Sequence, residues 1–132
     1  MDAIGQSDST FGYYLKSCLC RGEDNKDYHY EFYSNVYECK GKSKFAMEQE
    51  AGSAFSRMEK KEGWKCFSCG PGMSGILMTG ISVRKNDGSA AESDRRDHIH
   101  DQKHRGWGVV EYSYSCGSSA GSNPITTNEP DR

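Results

Sequence analysis

The residues best equipped for chemistry crowd into one short stretch. Between Ser89 and Arg105 stand three of the four histidines, His98, His100 and His104, among Asp94, Arg95, Arg96, Asp97, Asp101, Lys103 and Arg105. Imidazoles exchange protons near neutral pH, and guanidinium groups stabilise phosphate charge. With Glu111 as carboxylate partner the set could serve phosphodiester hydrolysis, His98 or His100 acting as general acid or base and Arg95 or Arg96 on the phosphate. Such a set counts only if the fold makes it converge, and no catalytic residue is assigned from the sequence. From Arg84 to Arg105 six basic residues meet five acidic ones, so the stretch is near neutral at pH 7. Protonation of its histidines toward about pH 5 would make it a pH-sensitive contact surface. Its composition reads as a long solvated loop. The candidate interaction surface is therefore Asp94, Arg95, Arg96, His98, His100, His104 and Arg105, with Trp107 beside them.

The cysteines supply a second kind of chemistry. Six of them, Cys18, Cys20, Cys39, Cys66, Cys69 and Cys116, lie at irregular spacing in 132 residues, which favours three disulfides made in an oxidising compartment. Cys66-Phe67-Ser68-Cys69 has redox spacing, but a redox cysteine should open a helix, and here a helix precedes the motif while Gly70-Pro71-Gly72 follows it. Cys18 and Cys20 with Cys66 and Cys69, or with His98 and His100 replacing two of them, could bind zinc as an intracellular interaction module. The first pair is one residue too tight for that spacing, and Cys39 and Cys116 would be left over. No metal or cofactor is expected. Cys116 is expected to close on the first strand, and the Cys66–Cys69 segment to be tied back toward Cys20 or Cys39.

These groups must be positioned by a thin core. Apolar residues make up 34% of the chain, and the 15 glycines bring the total to about 45%, the lower edge of globular usage. Mean hydropathy is −0.87, so cross-links look like compensation for limited burial. The net charge of −2 argues against general binding to nucleic acid or anionic membrane, and no apolar run is long enough to span a bilayer. Asp2 to Thr10 has neither the basic nor the apolar region of a signal peptide, so Met1 is read as a start placed on a mature chain. There is no N-x-Ser/Thr acceptor site.

One element organises the rest. Met47, Ala51, Ala54, Phe55 and Met58 recur on a single helical face, Ser43 stands at the N-cap position and Gly63 at the left-handed C-terminal position, so a helix is expected up to about Glu62. Gly52 within it suggests close packing of another backbone. Phe11 to Cys20 reads as one strand, with Cys18 and Cys20 on the face opposite Leu15 and Leu19. Tyr28 to Cys39 fits either a strand through its aromatics or a helix through Tyr28, Phe32, Val36 and Cys39, capped by Asp24; the helix covers the whole segment and is preferred. Gly75 to Lys85 and Trp107 to Cys116 read as strands paired antiparallel across the intervening loop.

A first strand with the Cys18/Cys20 pair, Cys39 after the next segment, an amphipathic helix leading to Trp64-Lys65-Cys66, and a last strand closing on Cys116 together resemble the small secreted cysteine-rich effectors of plant-associated fungi, including those with a killer-toxin-like α/β sandwich. The likeness covers Cys18 to Cys116. It implies secretion, a two-layer domain and virulence or toxin-like action by binding a host or competitor protein, rather than catalysis. The expectation is thus an α+β, disulfide-stabilised two-layer sandwich, an antiparallel sheet with one or two helices on one face. Residues 1–10 are expected to be disordered, 11–116 to form one domain and 117–132 a flexible polar tail. The protein is expected to be monomeric and extracellular, with a secreted ribonuclease-like protein as the alternative.

Overall fold

The computed structural model describes residues 9–67, 84–85, 88–117 and 124–130. The chain is α+β, with β1 (Ser9–Gly12), β2 (Leu15–Arg21), β3 (Asp27–Ser34), β4 (Tyr37–Lys40), α1 (Lys44–Glu62), β5 (Arg84–Lys85), α2 (Gly88–His104), β6 (Gly108–Tyr112) and β7 (Pro124–Asn128). A three-stranded sheet has the order β4-β1-β5 and a four-stranded sheet the order β2-β3-β6-β7. All described pairings are antiparallel except β3 with β6, which run parallel.

The first helix forms where the capping and spacing signals place it. The Ser43 hydroxyl accepts from the Ala46 N–H at 3.1 Å, satisfying a donor that the first turn leaves unpaired, which is worth about 1 kcal/mol. Gly63 adopts φ 76° and its N–H closes on the last turn, a conformation that costs a residue bearing Cβ. The expected face is the buried one: Met47, Ala51, Ala54, Phe55 and Met58 are all at most 2% exposed. They pack with Cys18, Cys20, Phe32, Val110 and Tyr112 from the four-stranded sheet. Phe32 lies edge-on to both Phe55 and Trp64 at 5.1 Å, the arrangement that aromatic quadrupoles favour. At Gly52 a side chain approaches rather than a backbone: a Cβ there would lie 3.3 Å from the Tyr14 hydroxyl.

The layering departs from the expected single helical face. Val109, Leu15, Tyr33 and Tyr13 form a second cluster with Ile99 of α2, while their strand neighbours Val110 and Phe32 belong to the α1 cluster. Alternate residues of a strand point to opposite faces, so the helices cover opposite sides of the four-stranded sheet. This also accounts for Cys18 and Cys20 facing away from Leu15: the two cysteines pack in the α1 cluster and Leu15 in the α2 cluster. Phe11 to Cys20 is two strands, not one: the chain passes from the three-stranded to the four-stranded sheet at Tyr13–Tyr14, where Tyr14 and Ser34 exchange backbone and side-chain hydrogen bonds.

Further expectations are corrected. Tyr28 to Cys39 is strand, not helix: Tyr28 to Ser34 continue β3, and Tyr37 to Cys39 lie in β4. Asp24 caps no helix and instead accepts from the Lys26 N–H at 3.1 Å in the β2–β3 turn. The stretch Ser89 to Arg105 is not a loop but almost wholly α2. β6 pairs with β3 and β7 rather than with the Gly75–Lys85 segment, of which residues 75–83 lie outside the described residues and Arg84–Lys85 pairs with β1. Within the segment read as a tail, Pro124–Asn128 is the strand β7, and the Tyr30 hydroxyl donates to Glu129 at 2.9 Å. At the β3–β6 seam a Cβ on Gly108 would fall 2.5 Å from the Tyr30 ring, so only glycine fits there.

Two disulfides are described, Cys20–Cys66 and Cys39–Cys116, and Cys18 is disulfide-bonded as well. The tie of Cys66 to Cys20 is as expected. Cys116 closes on β4, the edge strand of the three-stranded sheet, instead of the first strand, because Asn35 and Tyr37 hold the segment after β6 beside β4 through Tyr114. Cys69 lies outside the described residues.

Candidate functional site

The sheet face beneath α2 carries an unusual amount of polar chemistry for a buried surface. Successive same-face residues of β2 and β3 are Ser17 opposite Glu31, Leu15 opposite Tyr33, and Leu19 opposite His29. Glu31 is 4% exposed and Tyr33 is fully buried. The Ser17 hydroxyl donates to Glu31 Oε2, the Tyr33 hydroxyl donates to Oε1 at 3.0 Å, and His29 Nε2 stands 3.5 Å from Oε2. At that separation the two groups are neighbours without a hydrogen bond. Burial pushes the Glu31 carboxyl up, but His29, Ser17 and Tyr33 outweigh it and hold the group below the usual carboxylate range. Burial and the adjacent Glu31 charge drive the Tyr33 hydroxyl far upward, so it stays protonated.

α2 supplies the other half. His98 Nδ1 meets the Tyr33 hydroxyl at 2.9 Å. Tyr33 has one proton, already given to Glu31, so Nδ1 must carry hydrogen and donate to the tyrosine oxygen. Glu31, Tyr33 and His98 thus form one oriented chain of hydrogen bonds. One turn earlier, Arg95, 8% exposed, donates to the Ser34 carbonyl at 2.7 Å and to Glu111 at 2.7 Å. The Tyr13 hydroxyl donates to Asp94 at 3.0 Å. At the far end, His29 stacks on Trp107 with ring centres 3.7 Å apart and planes 17° from parallel, and the Arg105 guanidinium lies over the indole at 5.3 Å.

The structure therefore divides the predicted surface in two. Asp94, Arg95 and His98 turn inward and fasten α2 to the sheet. Arg96, His100, His104 and Arg105 are exposed, and Trp107 is half-buried at the margin. The set proposed for acid–base work does not converge: Glu111 is bonded to Arg95, and the His100 side chain is 80% exposed, on the outer side of the helix. Sequence reasoning missed Ser17, His29, Glu31 and Tyr33. Their signal was Glu31, a carboxylate in the middle of an aromatic run, which costs too much to bury without partners. The zinc readings that use Cys20 and Cys66 meet an S–S bond between those two sulfurs. Among the described residues no helix is long and apolar enough to cross a membrane.

Comparison of the chain with protein-family models, with curated proteins and with solved structures finds no match.

Proposed function

We propose that this is a secreted, disulfide-stabilised effector or toxin-like protein that acts by binding a host or competitor protein, with the outward face of α2 as its contact surface. The observation that carries the reading is the division of α2. Its inward charges are consumed by the fold, whereas Arg96, His100, His104 and Arg105 are exposed, Arg96 paired along the helix with Glu92 and Arg105 lying over Trp107. Disulfides support an oxidising compartment. Replacing Arg96, His100 and His104 together with alanine is expected to abolish the response of target cells to the purified protein while leaving its circular dichroism unchanged. An undiminished response with the triple variant would refute the proposal. His98 is excluded from the set because its imidazole belongs to the buried chain of hydrogen bonds.

A ribonuclease-like activity is the second reading, favoured by one observation: two imidazoles flank the Glu31 carboxylate, His29 at 3.5 Å and His98 through the Tyr33 hydroxyl. It replaces the earlier pairing with Glu111. On this reading the purified protein degrades RNA and His29→Ala removes the activity; RNA left intact by the wild-type protein would eliminate it.

A further inference from the structure

We infer that His100 and His104 form a two-imidazole clamp for a late first-row divalent transition ion, copper(II) above all. They stand four residues apart on α2, so both project from one side of the helix, the spacing by which helical histidines chelate metal elsewhere. Their rings already lie nearly parallel, 15° apart in plane with centres 6.1 Å apart. Neither imidazole is used by the fold. The His100 side chain is 80% exposed and its Nδ1 is 3.9 Å from Asp101 Oδ1, too far for a hydrogen bond, and His104 is exposed on the last residue of α2.

The surroundings favour a cation. Asp97 and Asp101 are exposed beside His100 on the same stripe, one turn before and one residue after it. Two of the cationic neighbours are engaged elsewhere, Arg96 donating to Glu92 at 2.9 Å and Arg105 covering Trp107, which leaves the exposed Lys103 against the two carboxylates. His104 is the last residue of α2, at the negative end of the helix dipole. Among the described residues no three donors are gathered as a metal site, so the first attachment is the imidazole pair, reached by rotation of two solvent-exposed side chains. Water and one aspartate complete the shell. Imidazole nitrogen suits copper, nickel and zinc, and affinity rises along that row to copper(II). This inference does not depend on which macromolecule the protein binds.

The test is titration calorimetry of the full disulfide-bonded chain, freed of metal by chelator, with copper(II) chloride at neutral pH. One saturable equivalent is expected for the wild type and its loss in both His100→Ala and His104→Ala. Because both positions are exposed, circular dichroism should be unchanged in the variants. Electron paramagnetic resonance of the copper-loaded protein should show nitrogen coupling that each variant alters. A wild type without a saturable equivalent, or single variants that bind copper as the wild type does, would overturn the inference.

Discussion

Replacing Cys39 and Cys116 together with alanine is expected to lower the free energy of unfolding by about 4 kcal/mol, the effect of opening a loop of this size. The bridged residues are 77 apart in sequence, so the link encloses both helices and restricts the unfolded chain over more than half its length. It also has a role in the native state. Cys39 lies on β4 of the three-stranded sheet and Cys116 follows β6 of the four-stranded one, so this bond ties the two sheets together. Its surroundings are well packed: Cys39 is 2% exposed, and Tyr37 meets Tyr114 edge-on at 4.8 Å. The Cys20–Cys66 bridge spans a separation of 46, and because loop entropy grows only logarithmically its loss should cost slightly less. Domains of this kind hold a total of roughly 5–15 kcal/mol, so the double variant should unfold at a much lower urea concentration. Equilibrium urea denaturation of wild type and double variant gives the difference directly. A loss below about 1 kcal/mol would mean that the aromatic packing at this seam, and not the bond, holds the sheets together.

How much of this architecture could be read in advance depends on where each helix or strand finds its partners. α1 was legible in full because its cap, its buried face and its stop are all local. The strand β3 was not, since it is buried on both sides: Tyr30 and Phe32 face α1 while Glu31 and Tyr33 face α2, which erases the alternation that marks a half-exposed strand. A spurious helical spacing through Tyr28, Phe32, Val36 and Cys39 then looked better. α2 was hidden for a different reason. Its buried stripe is Ala91, Arg95, Ile99 and Gln102, which has helical spacing, but two of its four members are polar and do not register as core. Arg95 can lie there only because Ser34 and Glu111, distant in sequence, receive its hydrogens. The site shares this limit. His29 and Trp107 meet through the parallel pairing of β3 with β6, a crossover for which no local residue pattern gives a sign.

Glu31→Ala should be the most damaging single substitution on the α2 face, with an expected loss of about 3–5 kcal/mol, typical of breaking a buried, hydrogen-bonded charge cluster. It would leave the buried Ser17 hydroxyl without its acceptor and take away the carboxylate beside His29 Nε2. The Tyr33 proton could still turn to His98 Nδ1, but only if that nitrogen gave up its own hydrogen, so the imidazole would have to change tautomer. Glu31→Gln keeps the shape and one acceptor oxygen and should cost less. The two variants also differ from the wild type in their response to acid. The native Glu31 carboxyl is held below its ordinary value, so its stabilisation is fully present above about pH 5 and is lost as pH falls through the ordinary carboxylate range, near about 4.3, toward the lower native value. Glu59 acts in the opposite sense. Burial raises its carboxyl, so its protonation in acid favours the folded state and offsets part of the loss. Thermal melts of wild type and Glu31→Gln between about pH 7 and pH 3 should therefore converge as the medium becomes acid, because the wild type gives up the advantage that the glutamine never had. Parallel curves, with the same gap at every pH, would show that Glu31 contributes shape and hydrogen-bonding capacity but not its charge.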